Sequence, residues 1–213
     1  MSEKINIAII GGGIIGCCVA YELAKDKDDI YVFEKNAGIT KGENQSSRNS
    51  GVLHAGIYYE QDIRPLKGRL CIEGNRLWTE FASKYGLPCE QTGKLMVAND
   101  EAESHILGKY ILQAEANGVP GVRKISADEV KKLEPNVCAH SALLIPTSGI
   151  VDPTALLRQV YASASNRGAI FMSETEVVDL ELSDEEVLIH IRYRDGHQDH
   201  IRANTVINAG GVN

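Results

Sequence analysis

Three glycines near the start of the chain have the spacing of a phosphate-binding turn. Gly11, Gly13 and Gly16 form a G-x-G-x-x-G pattern directly after an apolar run. In such a turn one glycine permits the tight bend, one admits a pyrophosphate to the backbone, and one lets the following helix pack close to the strand. The N–H groups and the positive dipole end at the start of that helix attract phosphate. We expect the N–H groups in question to be those of Ile14, Ile15 and Gly16.

A carboxylate follows at the end of the next apolar run. Glu34 lies about 20 residues beyond the first glycine, where an acid binds the ribose hydroxyls in dinucleotide-binding folds. The same acid would repel a 2′-phosphate, so the sequence disfavours NADP. We include the next residue, Lys35, among the cofactor-contacting positions. The alternative for the whole motif is a glycine-rich turn that packs a helix and binds no ligand.

The elements predicted around these residues form a β-α-β unit. Residues 5–10 and 30–33 are β-rich apolar runs, and residues 14–25 have helical periodicity. Uninterrupted apolar strands are typical of a parallel sheet that is buried on both faces. A nicotinamide-binding domain would continue with another helix and a third parallel strand. This chain instead enters a polar loop and regains a buried strand only near residue 205, which favours a two-domain flavoprotein.

The rest of the chain predicts alternating helices and short strands. Pro65 begins a long helix that ends at Gly86, with Leu66, Leu70 and Leu77 on one face. Residues 177–182 and 187–193 alternate in hydrophobicity, which predicts an antiparallel meander. The fold class is therefore α/β, a Rossmann-like FAD-binding domain with a parallel sheet and a β-meander, interrupted by an inserted α+β substrate domain. We place the boundaries at residues 1–85 and 149–213 for the FAD-binding domain and 86–148 for the substrate domain.

Composition excludes several classes of protein. The chain has 213 residues, with 22 Lys and Arg against 29 Asp and Glu, so its net charge of −7 argues against nucleic acid as the main partner. No apolar stretch approaches the roughly 20 residues that span a bilayer. The five cysteines form no C-x-x-C pair, so we expect no metal site and no disulfide framework. The chain stops after a buried strand and a glycine-rich turn, which suggests the front part of a longer protein.

A second motif carries a family resemblance. The run S-S-R-N-S-G-V-L-H-A-G-I-Y-Y at residues 46–59 resembles the second FAD motif of the D-amino-acid-oxidase-like FAD-dependent oxidoreductases, and is most similar to the L-2-hydroxyglutarate dehydrogenase/oxidase family. Further matching pieces occur at residues 93–98, 117–121, 134–136 and 148–152, so the resemblance covers the chain. Two departures concern the substrate. Ser46-Ser47-Arg48 resembles FAD-dependent glycerol-3-phosphate dehydrogenases instead, and Asp152-Pro153 replaces a more usual polar-Tyr pair.

The resemblance implies a set of cofactor contacts beyond the glycine turn. The polar loop is expected to line the FAD through Ser46, Ser47, Arg48, Asn49 and Ser50. The backbone at Val177 is expected to contact the adenine, and the turn after the last strand, at Ala209 and Gly210, to return to the flavin. For the polar loop, the alternative is a segment that hydrogen-bonds its own backbone.

His54 is the candidate catalytic residue. Oxidation of a 2-hydroxy acid moves a hydride to flavin N5 while a base takes the hydroxyl proton, and imidazole suits that role near neutral pH. The alternatives are a covalent flavin link, as the resemblance to sarcosine and dimethylglycine dehydrogenases allows, and a structural histidine. For an anionic substrate we name Tyr58, Tyr59 and Lys94 as candidate contacts.

Together these residues predict an FAD-dependent oxidoreductase that oxidises the hydroxyl of a small anionic 2-hydroxy acid similar to L-2-hydroxyglutarate. The alternatives are an FAD-dependent glycerol-3-phosphate dehydrogenase, a fragment that binds FAD without turnover, and an NAD-dependent dehydrogenase. The sequence leaves the electron acceptor open among oxygen, a quinone and a carrier protein. We expect a cytoplasmic location, with any contact to the inner face of a membrane being peripheral.

Overall fold

The computed structural model describes the chain except for residues 1–3, 43–45, 47, 61, 212 and 213. The chain divides into two compact units, one formed by Met1–Ser50 with Pro153–Asn213 and the other by Gly51–Asp152. The predicted domain boundaries lie at residues 85 and 148, whereas the structure groups residues 51–85 with the second unit.

The secondary-structure elements are numbered in chain order. The strands are β1 (Lys4–Ile10), β2 (Ile30–Phe33), β3 (Val52–Leu53), β4 (Cys89–Glu90), β5 (Lys94–Ala98), β6 (Arg123–Ser126), β7 (Ser141–Ile145), β8 (Gly149–Val151), β9 (Ile170–Met172), β10 (Thr175–Leu182), β11 (Val187–Tyr193) and β12 (Gln198–Asn208). The helices are α1 (Ile14–Leu23), α2 (Pro65–Tyr85), α3 (Glu101–Asn117), α4 (Ala127–Leu133) and α5 (Pro153–Ser165).

The first unit is built on a six-stranded sheet with the order β10–β11–β12–β1–β2–β9. Strand β1 pairs in parallel with β12 and β2, and β2 pairs in parallel with β9. Strands β10, β11 and β12 pair as antiparallel neighbours. The predicted combination of a parallel sheet with an antiparallel meander is confirmed.

Strand β12 is longer than the sequence predicts. Its first half pairs with β11 and its second half with β1, and Arg202 and Ala203 take part in both pairings. Residues 198–200 are polar and exposed, so they lack the apolar alternation that marks a half-buried strand. The sequence therefore predicts only the more apolar end, at residues 205–208.

Buried clusters cover both faces of the parallel strands. One cluster joins β1 and β2 to helices α1 and α5, and its members Ile9, Ala20 and Ala164 are fully buried. Another joins the same strands to the meander through Phe33 and Ile191. Because successive side chains of a strand point to opposite faces, an uninterrupted apolar run is what two covered faces require.

The second unit contains two three-stranded antiparallel sheets, β3–β8–β4 and β5–β7–β6. Helix α3 packs on strand β7 through a cluster that includes Leu107, Leu143 and Ile145. Helix α4 begins with the predicted capping box between Ser126 and Glu129. Strands β3, β4 and β8 have only two or three residues, too few to show a periodicity.

Helix α2 has the predicted ends but leaves its apolar stripe partly open. It begins at Pro65, and Gly86 caps it with a φ of 63°. Leu66, Leu70 and Leu77 are each about half exposed. The residues that α2 buries are instead Gly68, Asn75 and Ala82.

Candidate functional site

The glycine turn is packed so closely that two of its glycines leave no room for a side chain. Gly11 has a φ of +98°, and a Cβ added there would lie 2.5 Å from the Ala209 carbonyl oxygen. A Cβ added to Gly16 would lie 1.9 Å from the Gly11 carbonyl oxygen. The Gly11 N–H also donates to the Phe33 carbonyl oxygen at 2.8 Å. These two glycines are therefore needed for the packing of β1, β12 and α1, whether or not a ligand binds.

Helix α1 has its amino-terminal end at this turn, with Gly13 as the N-cap. The Ile14 N–H donates to the Ser46 hydroxyl at 2.9 Å. The N–H groups of Ile15 and Gly16 belong to the first turn and so have no acceptor within the helix. Together with the positive end of the helix dipole, they suit an anionic group such as a phosphate.

Glu34 lies directly beside the turn and is 5% exposed. Its Oε2 accepts from the Gly12 N–H at 2.8 Å, and its Oε1 accepts from the backbone N–H of Asn36 at 2.9 Å and from the side-chain amide of Asn36 at 2.5 Å. A carboxylate has about four acceptor positions, so these three bonds leave one on Oε2. That position can accept a hydrogen bond from a ribose hydroxyl.

A second segment fixes the backbone on either side of Glu34. The Glu34 N–H donates to the Met172 carbonyl oxygen at 2.9 Å, and the Thr175 N–H donates to the Glu34 carbonyl oxygen at 3.0 Å. The Glu174 N–H donates to the Asn36 carbonyl oxygen at 2.9 Å. Glu174 has a φ of 55°, in the left-handed region that non-glycine residues seldom adopt. The end of β2 is thus held by the turn that begins β10.

This turn leads directly to Val177, the predicted adenine contact. Val177 is half-buried, two residues beyond Thr175, and it pairs with Ile191 of β11. The pairing register shifts between Val177 and Asp179, which marks a β-bulge. Lys35, by contrast, has an exposed side chain.

The polar loop after β2 contributes one group to the helix end. Ser46 accepts the Ile14 bond described above, and its own carbonyl oxygen accepts from the Asn49 side-chain amide at 3.2 Å. Arg48, Asn49 and Ser50 are exposed. Ser47 lies outside the described residues.

The turn after β12 packs against the glycine turn. The Ala209 N–H donates to the Ile10 carbonyl oxygen at 2.8 Å, which brings the Ala209 backbone against Gly11. The Gly210 N–H donates to the Asn208 side-chain oxygen at 3.0 Å. The first unit therefore brings Gly11, Gly13, Gly16, Glu34, Ser46 and Ala209 together around one turn.

His54 belongs to the second unit and follows β3. Its side chain is exposed, and its carbonyl oxygen accepts from the Asn75 side-chain amide at 2.9 Å. The Cys71 thiol also donates to this carbonyl oxygen, at 3.6 Å. The backbone of the candidate base is thus fixed by helix α2, while its imidazole is open to solvent.

The structure brings two of the three candidate substrate contacts together. The Lys94 ammonium donates to the Tyr58 hydroxyl at 2.7 Å and lies 4.4 Å from the centre of the Tyr58 ring. Tyr59 instead has the Lys67 ammonium 5.1 Å from its ring centre. Tyr59 and Lys67 line an open surface groove of about 710 Å³ beside the start of α2. Tyr58 with Lys94, but not Tyr59, therefore forms a paired candidate.

Sequence reasoning missed the residues that hold the candidates in place. Gly12, Asn36 and Thr175 fix Glu34, and Asn75 fixes His54. Gly12 lies inside the motif and could have been found from the motif's geometry. Asn36 lies only two residues beyond Glu34. The contacts of Thr175 and Asn75 join distant segments, for which the sequence carries no local signal.

The cysteines are free thiols. Burial, followed by the neighbouring Cys18 and Glu34, raises the pKa of the Cys17 thiol to about 12. Burial also raises the pKa of Cys18 to about 11, so both are protonated at neutral pH. Among the described residues there is no group of three or more His, Cys, Asp or Glu that could hold a metal ion. A search of the same residues found no helix that is long and apolar enough to span a membrane.

Comparison with known proteins identifies relatives along nearly the whole chain. The family model for FAD-dependent oxidoreductases, DAO, matches residues 6–213. A mitochondrial L-2-hydroxyglutarate dehydrogenase from Caenorhabditis briggsae is 32% identical over 209 residues, which are 97% of this chain and 48% of that protein. A glycerol 3-phosphate dehydrogenase from Caloramator mitchellensis is 33% identical over 181 residues, which are 84% of this chain and 37% of that protein.

Solved structures agree with the sequence relatives. The dithionite-reduced L-alpha-glycerophosphate oxidase from Mycoplasma pneumoniae, with FAD bound, has a TM-score of 0.83 and 26% identity. The match covers 96% of this chain and 53% of that one. The chain thus spans about half the length of the curated relatives it matches.

Proposed function

Because the chain belongs to the DAO family of FAD-dependent oxidoreductases, we propose that its first unit binds the ADP half of FAD and that its second unit contributes to the oxidation of a small anionic 2-hydroxy acid similar to L-2-hydroxyglutarate. The observation that carries the cofactor assignment is the buried Glu34 carboxylate. It accepts from Gly12 in the glycine turn and keeps one acceptor position beside the open end of helix α1.

The residues of the first unit fit an adenosine diphosphate. The remaining acceptor position of Glu34 would receive a ribose hydroxyl, and a buried carboxylate there would repel a 2′-phosphate. The N–H groups of Ile15 and Gly16 would receive the pyrophosphate, with the Ser46 hydroxyl beside them. We assign Arg48, Asn49 and Ser50 to the same cofactor contact, together with their neighbour Ser47.

The remaining cofactor contacts surround these. Val177 follows the turn that bonds to the Glu34 backbone, which supports its assignment to the adenine. Ala209 and Gly210 follow β12 and pack on the glycine turn, which supports their assignment to the flavin side. Lys35 is exposed next to Glu34 and is assigned a peripheral contact.

We assign the acid–base step to His54. When bound, FAD supplies the acceptor for the hydride that leaves the carbinol carbon. His54 Nδ1 or Nε2 takes the hydroxyl proton, so that a carbonyl forms at the carbon that loses the hydride. The exposed imidazole on a fixed backbone suits this role, because the ring can reach a substrate while its attachment point does not move.

We assign the binding of a substrate carboxylate to the Tyr58–Lys94 pair. An ammonium carries three donors, and one of those on Lys94 is engaged with the Tyr58 hydroxyl. The Tyr58 ring also holds the ammonium in place from its face. A cation that is already oriented loses less freedom when it binds an anion, which favours a carboxylate-bearing substrate.

Glycerol 3-phosphate is the second candidate substrate. It is supported by the relative from Caloramator mitchellensis and by the Ser46-Ser47-Arg48 sequence at the polar loop. A phosphate monoester is also a dianion and could use the same Lys94 ammonium. The two substrates differ in the position of the charge relative to the reacting hydroxyl, so turnover decides between them.

Absorption spectroscopy and turnover test the proposal. The visible absorption spectrum of the purified protein, recorded before and after addition of FAD, is expected to show bound flavin. Acid precipitation then shows whether the flavin is covalently attached. Reduction of an artificial electron acceptor is then compared between L-2-hydroxyglutarate and glycerol 3-phosphate. Protein that binds FAD but never reduces it with either substrate would be a binding module. Protein that retains no flavin after incubation with FAD and removal of the unbound cofactor would refute the cofactor assignment.

A further inference from the structure

The segment His54–Tyr59 has an unusual division between buried and exposed side chains. Ala55 and Ile57 are 5% and 1% exposed and belong to the core of the second unit. His54 and Tyr58, the two residues assigned above to the proton and the substrate, are exposed. The segment therefore anchors its buried middle, Ala55–Ile57, in the core and presents the residues on either side, His54 and Tyr58.

Three side-chain amides hold the carbonyl groups of this segment. The Asn75 amide of α2 donates to the His54 carbonyl oxygen at 2.9 Å. The Gln113 amide of α3 donates to the Ile57 carbonyl oxygen at 2.6 Å. The Asn117 amide, at the end of α3, donates to two carbonyl oxygens, those of Gly56 at 3.1 Å and Tyr59 at 2.8 Å. We call Asn75, Gln113 and Asn117 the amide clamp.

The segment cannot take its hydrogen bonds from a regular sheet. Gly56 has a φ of +90°, and a Cβ added to it would lie 2.7 Å from Cγ1 of Ile72 in α2. The backbone thus turns sharply and lies close against the helix, so its carbonyl groups need partners from side chains. The amide clamp supplies them.

Asn75 is the most embedded member of the clamp. It is 8% exposed, and its amide also donates to the Thr147 carbonyl oxygen at 2.9 Å. Its side-chain oxygen accepts from the Gln91 amide at 3.3 Å. Asn75 therefore joins the His54 segment to two other segments of the second unit, while Gln113 and Asn117 each bond to the His54 segment from one side.

We propose that the amide clamp positions the His54 and Tyr58 side chains, and that these amides are positioning residues for the proton transfer and substrate contact; this rests on the function proposed above. Amides suit the task because they donate without carrying charge. A lysine or arginine on the same carbonyl groups would add a positive charge beside an imidazole that has to accept a proton.

The test compares clamp variants with an amide variant elsewhere. The variants are Asn75→Ala and Gln113→Ala, and the control is Gln159→Ala, whose amide on α5 donates to the Ser163 hydroxyl at 3.2 Å. NMR spectra of the imidazole ring, assigned with His54→Gln, report the ring's surroundings without any flavin. We expect the His54 ring signals to shift or broaden in both clamp variants and to stay unchanged in the control.

Turnover of the FAD-loaded protein gives the second measurement. Misplacement of a catalytic group by about 1 Å can reduce a rate about 100-fold. We expect kcat to fall about 10- to 100-fold in Asn75→Ala, with KM within about threefold of wild type and with unchanged FAD affinity. A general loss of structure would instead lower FAD affinity together with kcat, and the NMR spectrum would lose the dispersed signals of a folded protein.

The outcomes separate this proposal from the previous one. Unchanged His54 signals in both clamp variants, or altered signals with unchanged kcat, overturn the role of the clamp. If wild-type protein fails to bind FAD, the proposed function fails, and the NMR comparison still decides whether the clamp positions His54. If Asn75→Ala does not fold, Gln113→Ala decides, because it removes a single bond at a partly buried site.

Discussion

Replacement of Glu34 by glutamine tests the cofactor site with the smallest change in shape. The carboxylate accepts three hydrogen bonds, one from Gly12 on Oε2 and two from Asn36 on Oε1. A glutamine amide has one oxygen and one NH₂ group, so it can serve only one side. Its NH₂ would then face either the Gly12 N–H or the two Asn36 donors, and a donor would be left unpaired in a site that is 5% exposed.

The magnitude follows from these bonds. An unsatisfied buried donor costs about 1–3 kcal/mol, so Glu34→Gln is expected to lower the free energy of unfolding of the first unit by that amount. A hydrogen bond from a ribose hydroxyl to a charged acceptor contributes about 1.5–3 kcal/mol. Its loss is expected to weaken FAD binding about 10- to 100-fold, since each 1.4 kcal/mol is a factor of ten.

Flavin fluorescence measures the binding, and denaturant titration measures the stability. The control is Glu22→Gln, an exposed carboxylate of α1 that pairs with Lys25 on the surface. This control is expected to leave the Kd for FAD unchanged and to alter stability by less than about 1 kcal/mol. A Kd for Glu34→Gln within about threefold of wild type would refute the assignment of this carboxylate to the ribose.

Three further outcomes follow from the structure. Gly16→Ala is expected to destabilise the fold by about 1–3 kcal/mol and to weaken FAD binding, because its Cβ would meet a backbone oxygen at 1.9 Å. The control is Gly108→Ala in helix α3, where no atom lies within 4 Å of the added Cβ. Thermal unfolding is expected to show that this control is neutral or stabilising by about 0.5–1 kcal/mol. The neutral thiol of Cys17, whose pKa is raised to about 12, stabilises the fold fully below the unfolded thiol pKa near 9, and this stability is lost as pH rises from 9 towards 12. Denaturant titrations at pH 8, 9 and 10 are expected to show that the free energy of unfolding falls by up to about 1.4 kcal/mol per pH unit in the wild type, and that Cys17→Ala abolishes this fall. An equal slope against pH in both proteins would contradict the prediction. Tyr58→Phe keeps the ring beside Lys94 but removes the hydroxyl that holds the ammonium. The KM for the anionic substrate is therefore expected to rise about 3- to 10-fold, with little change in melting temperature. An unchanged KM would argue against the Tyr58–Lys94 pair as the anion contact.

The β1–α1–β2 part of the first unit could be predicted because its signals are local. The glycine spacing, the apolar runs of β1 and β2 and the acid after β2 all lie within the first 34 residues. Each depends on the chain's own geometry, either the backbone freedom of glycine or the burial of a parallel strand on both faces. Residue types at fixed offsets therefore indicate the elements, and they predict the ligand-facing positions.

The second unit was harder to predict because its organisation depends on distant contacts. Residues 51–85 follow the FAD motif in sequence, yet they pack with residues 86–152 because α2 and the His54 segment share the core around Ile57. The clamp residues Gln113 and Asn117 lie on an amphipathic helix, where polar residues usually face solvent. Nothing near them in sequence indicates that their partners are carbonyl groups about 60 residues earlier.

The glycine motif alone does not distinguish a ligand site from a packing turn, because Gly11 and Gly16 are already required by the close approach of β1, α1 and β12. The distinction depends on Glu34. A buried carboxylate loses its hydration, which costs free energy unless strong partners replace the water. The donors from Gly12 and Asn36 replace part of that hydration, and they occupy three of the roughly four acceptor positions of the carboxylate. A packing turn has no use for the acceptor position that remains on Oε2, whereas a ribose hydroxyl beside the end of α1 would occupy it, so the acid rather than the glycines supports the proposal that the turn binds a dinucleotide.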